Sequence, residues 1–268
     1  MPETGSSTYV CVVTGASRGI GRATAEELTR RGATVVTLGR DASRSTIACD
    51  LASFASIRAA AAEITYHWPR IQLLVNNAGV QHLRRHETAD GIEATLAVNH
   101  LAPFLLTHLL MPSLRAAAPA RVVTVSSSLA RWGRIDFEDL ERIRHYNGTR
   151  AYLQSKLANI MFTMSLAERL AGSGVSAVCV YPGLVVTDLM RERWWWRARW
   201  LRPLWRALFL SPHDAAAAVA GAAAAPAPAE AACYTLGGEY ASVPPAARDV
   251  VARQRLWTLS EHLIGVDF

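Results

Sequence analysis

Six short apolar runs punctuate the chain: Tyr9 to Thr14, Thr34 to Leu38, Thr46 to Cys49, Ile71 to Asn76, Arg121 to Ser126 and Val175 to Tyr181. Hydrophobicity within them is continuous rather than alternating, as in strands buried on both faces. Between most of them the apolar spacing becomes helical, over Gly21 to Arg31, Ser53 to His67, Ile92 to Ala116 and Ala151 to Leu170. This alternation predicts an α/β fold with one parallel sheet and helices on both faces. One link is abnormal. From Arg40 to Asp50 there is no room for a crossover helix, which takes a dozen or more residues, so a loop or single turn is expected. Further on, Ala215 to Ala232 reads as an Ala-rich helix running into a loose loop at Pro226 and Pro228, followed by a last strand around Gly238 to Ala241 and a helix from Ala246 to Leu263.

Composition narrows the class. With 268 residues, 51% hydrophobic and 19% charged, the chain suits a single globular domain and not a disordered or disulfide-built one. Its net charge of +6 invites a nucleic-acid reading, but six Arg and one Glu between Arg191 and Arg206 supply +5 of it, leaving +1 elsewhere. No nucleic-acid partner is expected from so local a charge. Cys11, Cys49, Cys179 and Cys233 lack metal or CxxC spacing, and the eight histidines lack ligand spacing, so no metal and a reducing, cytoplasmic setting are expected. The N-terminus carries no secretory pattern, and no run of the length of a membrane span is read. Among 28 basic residues only Lys156 is a lysine. Its position therefore asks what an ammonium does there that a guanidinium would not.

Parallel sheets bind ligands beyond the carboxyl ends of their strands. The first strand runs into Gly15, Ala16, Ser17, Arg18, Gly19, Ile20 and Gly21, and a helix follows, the setting in which glycines bring backbone N–H groups to a pyrophosphate. Other strand ends fall at Arg40, Asp50, the trio Asn77, Ala78 and Gly79, Ser127, and the pair Pro182 and Gly183. Tyr152 and Lys156, four apart, share one helix face. A cation beside a phenol favours its ionised form and brings it toward useful acid–base range.

Together TGASRGIG, NNAG at 76–79, Asn99 in VNHL, Ser127 in VSSS, YLQSK at 152–156 and PGLVVT at 182–187 resemble the short-chain dehydrogenase/reductase family over almost the whole chain. Asp90 and Gly91 ahead of Asn99, His100 and Leu101, the run Ser155 to Asn159, and Leu256, Trp257, Ser260 and Gly265 resemble its retinol-dehydrogenase-like branch. The resemblance implies a Rossmann-type doubly wound parallel sheet of about seven strands. It also implies an oxidoreductase moving hydride between a nicotinamide and the carbonyl or alcohol of a bulky apolar substrate, with reduction favoured. In that scheme Tyr152 is the general acid/base, Lys156 lowers the phenol pKa and binds ribose hydroxyls, Ser127 holds the carbonyl oxygen and Asn99 supports a proton relay. Ser127 is preferred over its neighbours because the second serine of the motif is catalytic in the family.

The resemblance also carries the coenzyme contacts. Asp50 and Leu51 would border adenine, while Val185 and Thr187 would lie near the nicotinamide. The second strand ends in Gly39 where an enzyme using NAD would carry Asp, and Arg40 follows, with Arg18 in the glycine loop. Both cations suit a 2′-phosphate, hence NADP(H). Asp41 could face the same space, and Arg44 could join the phosphate shell. A substrate lid is expected over 188–212. Its Trp194, Leu201, Trp205 and Leu208 fall on one helical stripe and Arg199, Arg202 and Arg206 on another, interrupted at Pro203. Three readings of 191–206 stand: a lid over substrate, docking on an anionic membrane surface, and docking of an acidic carrier protein bearing the substrate. Self-association is also open. The alternative from another class is a dinucleotide-binding regulator that uses this segment for a partner.

Overall fold

The computed structural model describes residues 9–183, 210–225, 232–234 and 241–268. Seven strands form one parallel sheet: β1 (Val10–Thr14), β2 (Thr34–Gly39), β3 (Ile47–Ala48), β4 (Leu73–Asn76), β5 (Ala120–Val125), β6 (Val175–Val180) and β7 (Ala232–Tyr234). Their order across the sheet is β3-β2-β1-β4-β5-β6-β7, the Rossmann arrangement, with the order reversing between β1 and β4. Strand side chains alternate between two cores. Cys11, Val13, Leu73, Val75, Val123 and Val178 face α1 (Gly19–Arg30) and α5 (Pro212–Ala224). Val12, Val36, Leu74 and Val122 face the other layer, made of α2 (Phe54–His67), α3 (Ala94–Ala116) and α4 (Gly148–Arg169).

Six of the seven strands lie where the hydrophobic runs predict them. The seventh is Ala232–Tyr234, in register with Val178–Val180, ahead of the stretch expected around Gly238 to Ala241, of which 238–240 lie outside the described residues. A three-residue strand is too short to form a legible run. The expected C-terminal helix is two pieces, Pro245–Arg248 and α6 (Val250–Ile264). Asp249 separates them and caps the second by accepting from Ala252 N at 3.0 Å. Between β2 and β3 there is no helix, as expected. The link turns at Asp41, whose carboxylate accepts from Ser43 N and Oγ, and Thr37 and Thr46 stitch its two ends through their hydroxyls.

Two further features depart from the sequence reading. Helix α3, 23 residues long, is apolar and long enough to cross a membrane by composition, contrary to the expectation that no such stretch exists. Its most apolar window is 89% buried within the protein, so its hydrophobicity is that of a core helix packed on both sides. Helix α3 also contains a π-helical turn over Ala97–Leu101, which no periodicity announced. Helix α4 begins three residues before its predicted start because Asn147 caps it, accepting from Arg150 N at 3.0 Å.

The α6 helix closes the second core with an aromatic cluster. Phe104 on α3 lies 5.2 Å from Phe162, 4.7 Å from Trp257 and 5.4 Å from Phe268, ring centre to ring centre. Phe104→Ala leaves three rings facing a void and is expected to cost about 3–5 kcal/mol, read as a lowered midpoint in urea unfolding at unchanged slope.

Candidate active site

A cleft of about 650 Å³ opens at the carboxyl end of the sheet, beside the β1/β4 reversal. One side of it is built where β1 meets α1. Gly15 and Gly19 take positive φ, +67° and +58°, conformations that cost a side chain strain. A Cβ on Gly15 would lie 2.9 Å from Ala78 Cα, and one on Gly21 would strike the Gly15 carbonyl and Asn77 Nδ2. The loop is thus a backbone cradle at a helix N-terminus, with no room for a side chain at Gly15 or Gly21 and a backbone conformation at Gly19 that strains one. Ser17, Arg18 and Ile20 complete this wall, and Asn77, Ala78 and Gly79 form the opposite one.

At the end of β2, Gly39 and Arg40 line the cleft with Asp50 and Leu51. A Cβ on Gly39 would lie 2.6 Å from Ser45 Oγ, because the helix-free link folds that hydroxyl against the strand end. Ser45 Oγ is itself buried without a partner among the described residues. Asp41 faces away: its carboxylate takes Ser43 and pairs with Arg44 Nε at 3.4 Å. Neither Asp41 nor Arg44 lines the cleft.

Beyond the glycine cradle, β5 and α4 bring Ser127, Tyr152 and Lys156 onto the cleft wall. The three consecutive serines separate by their bonds. Ser126 Oγ donates to Lys156 O at 2.7 Å and is buried. Ser127 lines the cleft and caps the turn Ser128–Trp132, accepting from Leu129 N at 3.2 Å, whereas Ser128 points outward. Lys156 is 4% exposed and donates from Nζ to Val125 O at 3.0 Å. Burial holds it below the usual lysine range, at about 8.

Burial pushes Tyr152 up to about 12. The ammonium lies 5.8 Å from the phenol ring centre and is turned to Val125 O. Burial is the cause of the rise in the phenol.

Asn99 does not line the cleft but stands directly behind it. Its Oδ1 accepts from Val80 N at 2.7 Å, and its Nδ2 donates to Val80 O and Ser155 Oγ, each at 2.9 Å. A Cβ on Gly79 would lie 3.4 Å from Lys156 Nζ and 3.5 Å from Asn99 Oδ1, so both atoms border one spot. Pro182 and Gly183 line the far end of the cleft. Val185, Thr187 and nearly all of the expected lid, including 191–206, lie outside the described residues. Where the chain resumes, Ser211 caps α5 in a capping box with Asp214.

The cleft also takes in residues the sequence reading missed: Gln81, His82, Leu129, Thr149 and Leu153. Thr149 and Leu153 lie three before and one after Tyr152, and helical spacing from Tyr152 and Lys156 could have placed Thr149. Gln81 and His82 follow β4 at greater distance. His82 is fixed by its carbonyl, which accepts from Tyr146 Oη at 3.0 Å and packs against Gly148, where any side chain would collide with it.

Comparison with known proteins agrees with this geometry. The family model for short chain dehydrogenase matches residues 9–198. Retinol dehydrogenase 12 of Bos taurus is 39% identical over 96% of this chain and 86% of its own length. A crystal structure of an uncharacterized protein from Mycobacterium Paratuberculosis matches at 32% identity with a TM-score of 0.79, covering 97% of this chain and 94% of that one. A short chain dehydrogenase from Burkholderia cenocepacia J2315, solved in complex with NADP, matches at 25% identity and a TM-score of 0.64, over 85% and 95% of the two chains. With the glycine cradle, the order-reversed sheet and the matched motifs in agreement, the chain belongs to the short-chain dehydrogenase/reductase family, in its retinol-dehydrogenase-like branch, as an oxidoreductase of alcohol or carbonyl groups that binds a nicotinamide dinucleotide.

Proposed function

We propose that this protein is an NADP(H)-dependent reductase of the carbonyl group of a bulky, largely apolar substrate, with Tyr152 as general acid. The observation that carries the reading is the meeting of Ser127, Tyr152 and Lys156 on the wall of the same cleft that the glycine cradle opens. Gly15, Gly19 and Gly21 fit a pyrophosphate approached by backbone, since each is a position where a Cβ would be strained or would collide. Support for the 2′-phosphate comes from the β2 end. Position 39 carries no carboxylate, while Arg40 lines the cleft there and offers a cation. Ser17 and Arg18 border the same region, with Asp50 and Leu51 toward adenine, and the NADP complex of the Burkholderia cenocepacia relative is consistent with this.

When bound, NADPH supplies the hydride. Ser127 Oγ holds the substrate carbonyl oxygen, and Tyr152 Oη donates the proton that the oxygen takes up. Because burial keeps Tyr152 protonated, the chain starts in the state that reduction requires, whereas oxidation would need the phenolate. Lys156 places its ammonium between the phenol and the ribose. Asn99 Oδ1, across Gly79 from Lys156, supports return of the proton from solvent. Leu129, Leu153, Val98 and Ala94 give the substrate an apolar wall, and 188–212 is assigned as the lid over it. Val185 and Thr187 are assigned to the nicotinamide end.

Four outcomes test this reading with NADPH and a panel of hydrophobic aldehydes and ketones. Tyr152→Phe is expected to lower kcat by about 10²- to 10⁴-fold, the worth of a positioned general acid, while NADPH still binds by fluorescence titration. Lys156→Arg keeps the charge but not the size, and most activity should go. Reductive kcat/KM should fall above pH 8, as Lys156, held at about 8, loses its proton; a profile flat to pH 10 would count against the ammonium's role. Finally, NADPH should bind more tightly than NADH, and Arg40→Ala should narrow the gap by weakening NADPH alone.

A further inference from the structure

The π-turn of α3 places neighbouring residues on opposite sides. Asn99 reaches the strand-end backbone at Val80, and His100 reaches the C-terminal helix α6. His100 is 1% exposed, and its Nε2 lies 2.9 Å from Ser260 Oγ. The Ser260 hydroxyl also bonds Leu256 O at 2.8 Å, and the Asn159 side chain of α4 hydrogen-bonds the ring. Phe104, Phe162, Trp257 and Arg253 pack around the ring with no space that admits water. Arg253, the charged group facing it, is held by Glu168 at 2.7 Å. Desolvation keeps the imidazole neutral, with its pKa down at about 4 against the opposing effect of the Asn159 bond. A polar bond this deeply buried fixes orientation more than it adds stability.

We propose that the His100–Ser260 hydrogen bond is the clasp through which α6 sets the π-turn, making His100 and Ser260 positioning residues for Asn99 and its approach to Lys156. The turn has one residue more than an α-helical turn, so its angle is not fixed by the regular ladder and needs an external anchor. Asn99 is anchored on the cleft side and His100 on the far side, so a shift of one carries the other. This inference rests on the assignment of Asn99 to the proton path.

Ser260→Ala and His100→Leu, with Ser260→Thr and His100→Gln as variants that keep the hydroxyl or a donor, provide the test. Ser260→Ala and His100→Leu should lower kcat roughly tenfold, in line with the cost of misplacing a group near the chemistry, with KM for the carbonyl substrate and NADPH affinity within twofold. The high-pH limb of kcat should shift, and hydrogen exchange of the amides over 97–102 should quicken in the protein alone. Ser260→Thr and His100→Gln should recover most of each change. Unchanged kcat and exchange in Ser260→Ala beside an inactive Asn99→Ala would overturn the clasp while leaving the proposed function intact. A parallel fall of kcat, NADPH affinity and melting temperature, without rescue by the conservative variants, would reduce the bond to a purely structural role. A fully active Asn99→Ala would overturn the clasp together with the assignment of Asn99 to the proton path.

Discussion

Everything at the site depends on how β1 and β4 part at the carboxyl end of the sheet. Thr14 Oγ accepts from both Asn77 N, at 3.0 Å, and Ala78 N, at 3.1 Å, and Asn77 Nδ2 donates to Thr14 O at 2.9 Å. These three bonds tie the two strands at the point where their connections run in opposite directions, and so hold open a fork that two diverging loops would otherwise close. Because the fork is fixed, Gly15 can approach Ala78 and Gly21 can approach Gly15 to distances no Cβ permits. The cleft thus depends on the Thr14 and Asn77 side chains bonding the backbone across the fork, and the groups that give it chemistry are added on that frame.

The second constraint is electrostatic. Lys156 is buried without a carboxylate partner among the described residues, and its ammonium donates to a backbone carbonyl. An ammonium in that state is costly, which is why its pKa is depressed. The neighbouring phenol, also desolvated, is pushed the other way. Desolvation thus drives the two values apart and favours the neutral form of each group, the phenol keeping its proton while the ammonium gives its proton up more readily. A guanidinium would find neither the space beside Gly79 nor a way to give up its charge.

Remote parts of the chain bear on this pair through packing. Helix α6 meets α3 and α4 through Trp257, Phe104 and Phe162, and through His100 and Ser260 it touches the turn that carries Asn99. Residues that look like scattered features of the C-terminus are thereby one contact with the region behind the cleft.

The parallel sheet, its helices and the glycine loop were legible because burial on both faces writes itself as continuous apolar runs, and because the strand ends can be enumerated. Ser127, Tyr152 and Lys156 were legible through motif resemblance and helical spacing. What the sequence by itself could not decide are quantities that arise from three-dimensional proximity. Where the Asp41 carboxylate turns depended on its bonds to Ser43 and Arg44, and the packing of the Ser45 hydroxyl against Gly39 follows from the helix-free link. Spacing put a cation beside Tyr152, but the pKa of the phenol followed from burial. The three-residue strand β7 and the five-residue π-turn leave no periodic trace, since each is too short to repeat its pattern more than once. The chain order of residues thus determined which elements form and which chemistry is present, while the tertiary structure decided which groups are desolvated, which are already bonded, and therefore which remain available to act.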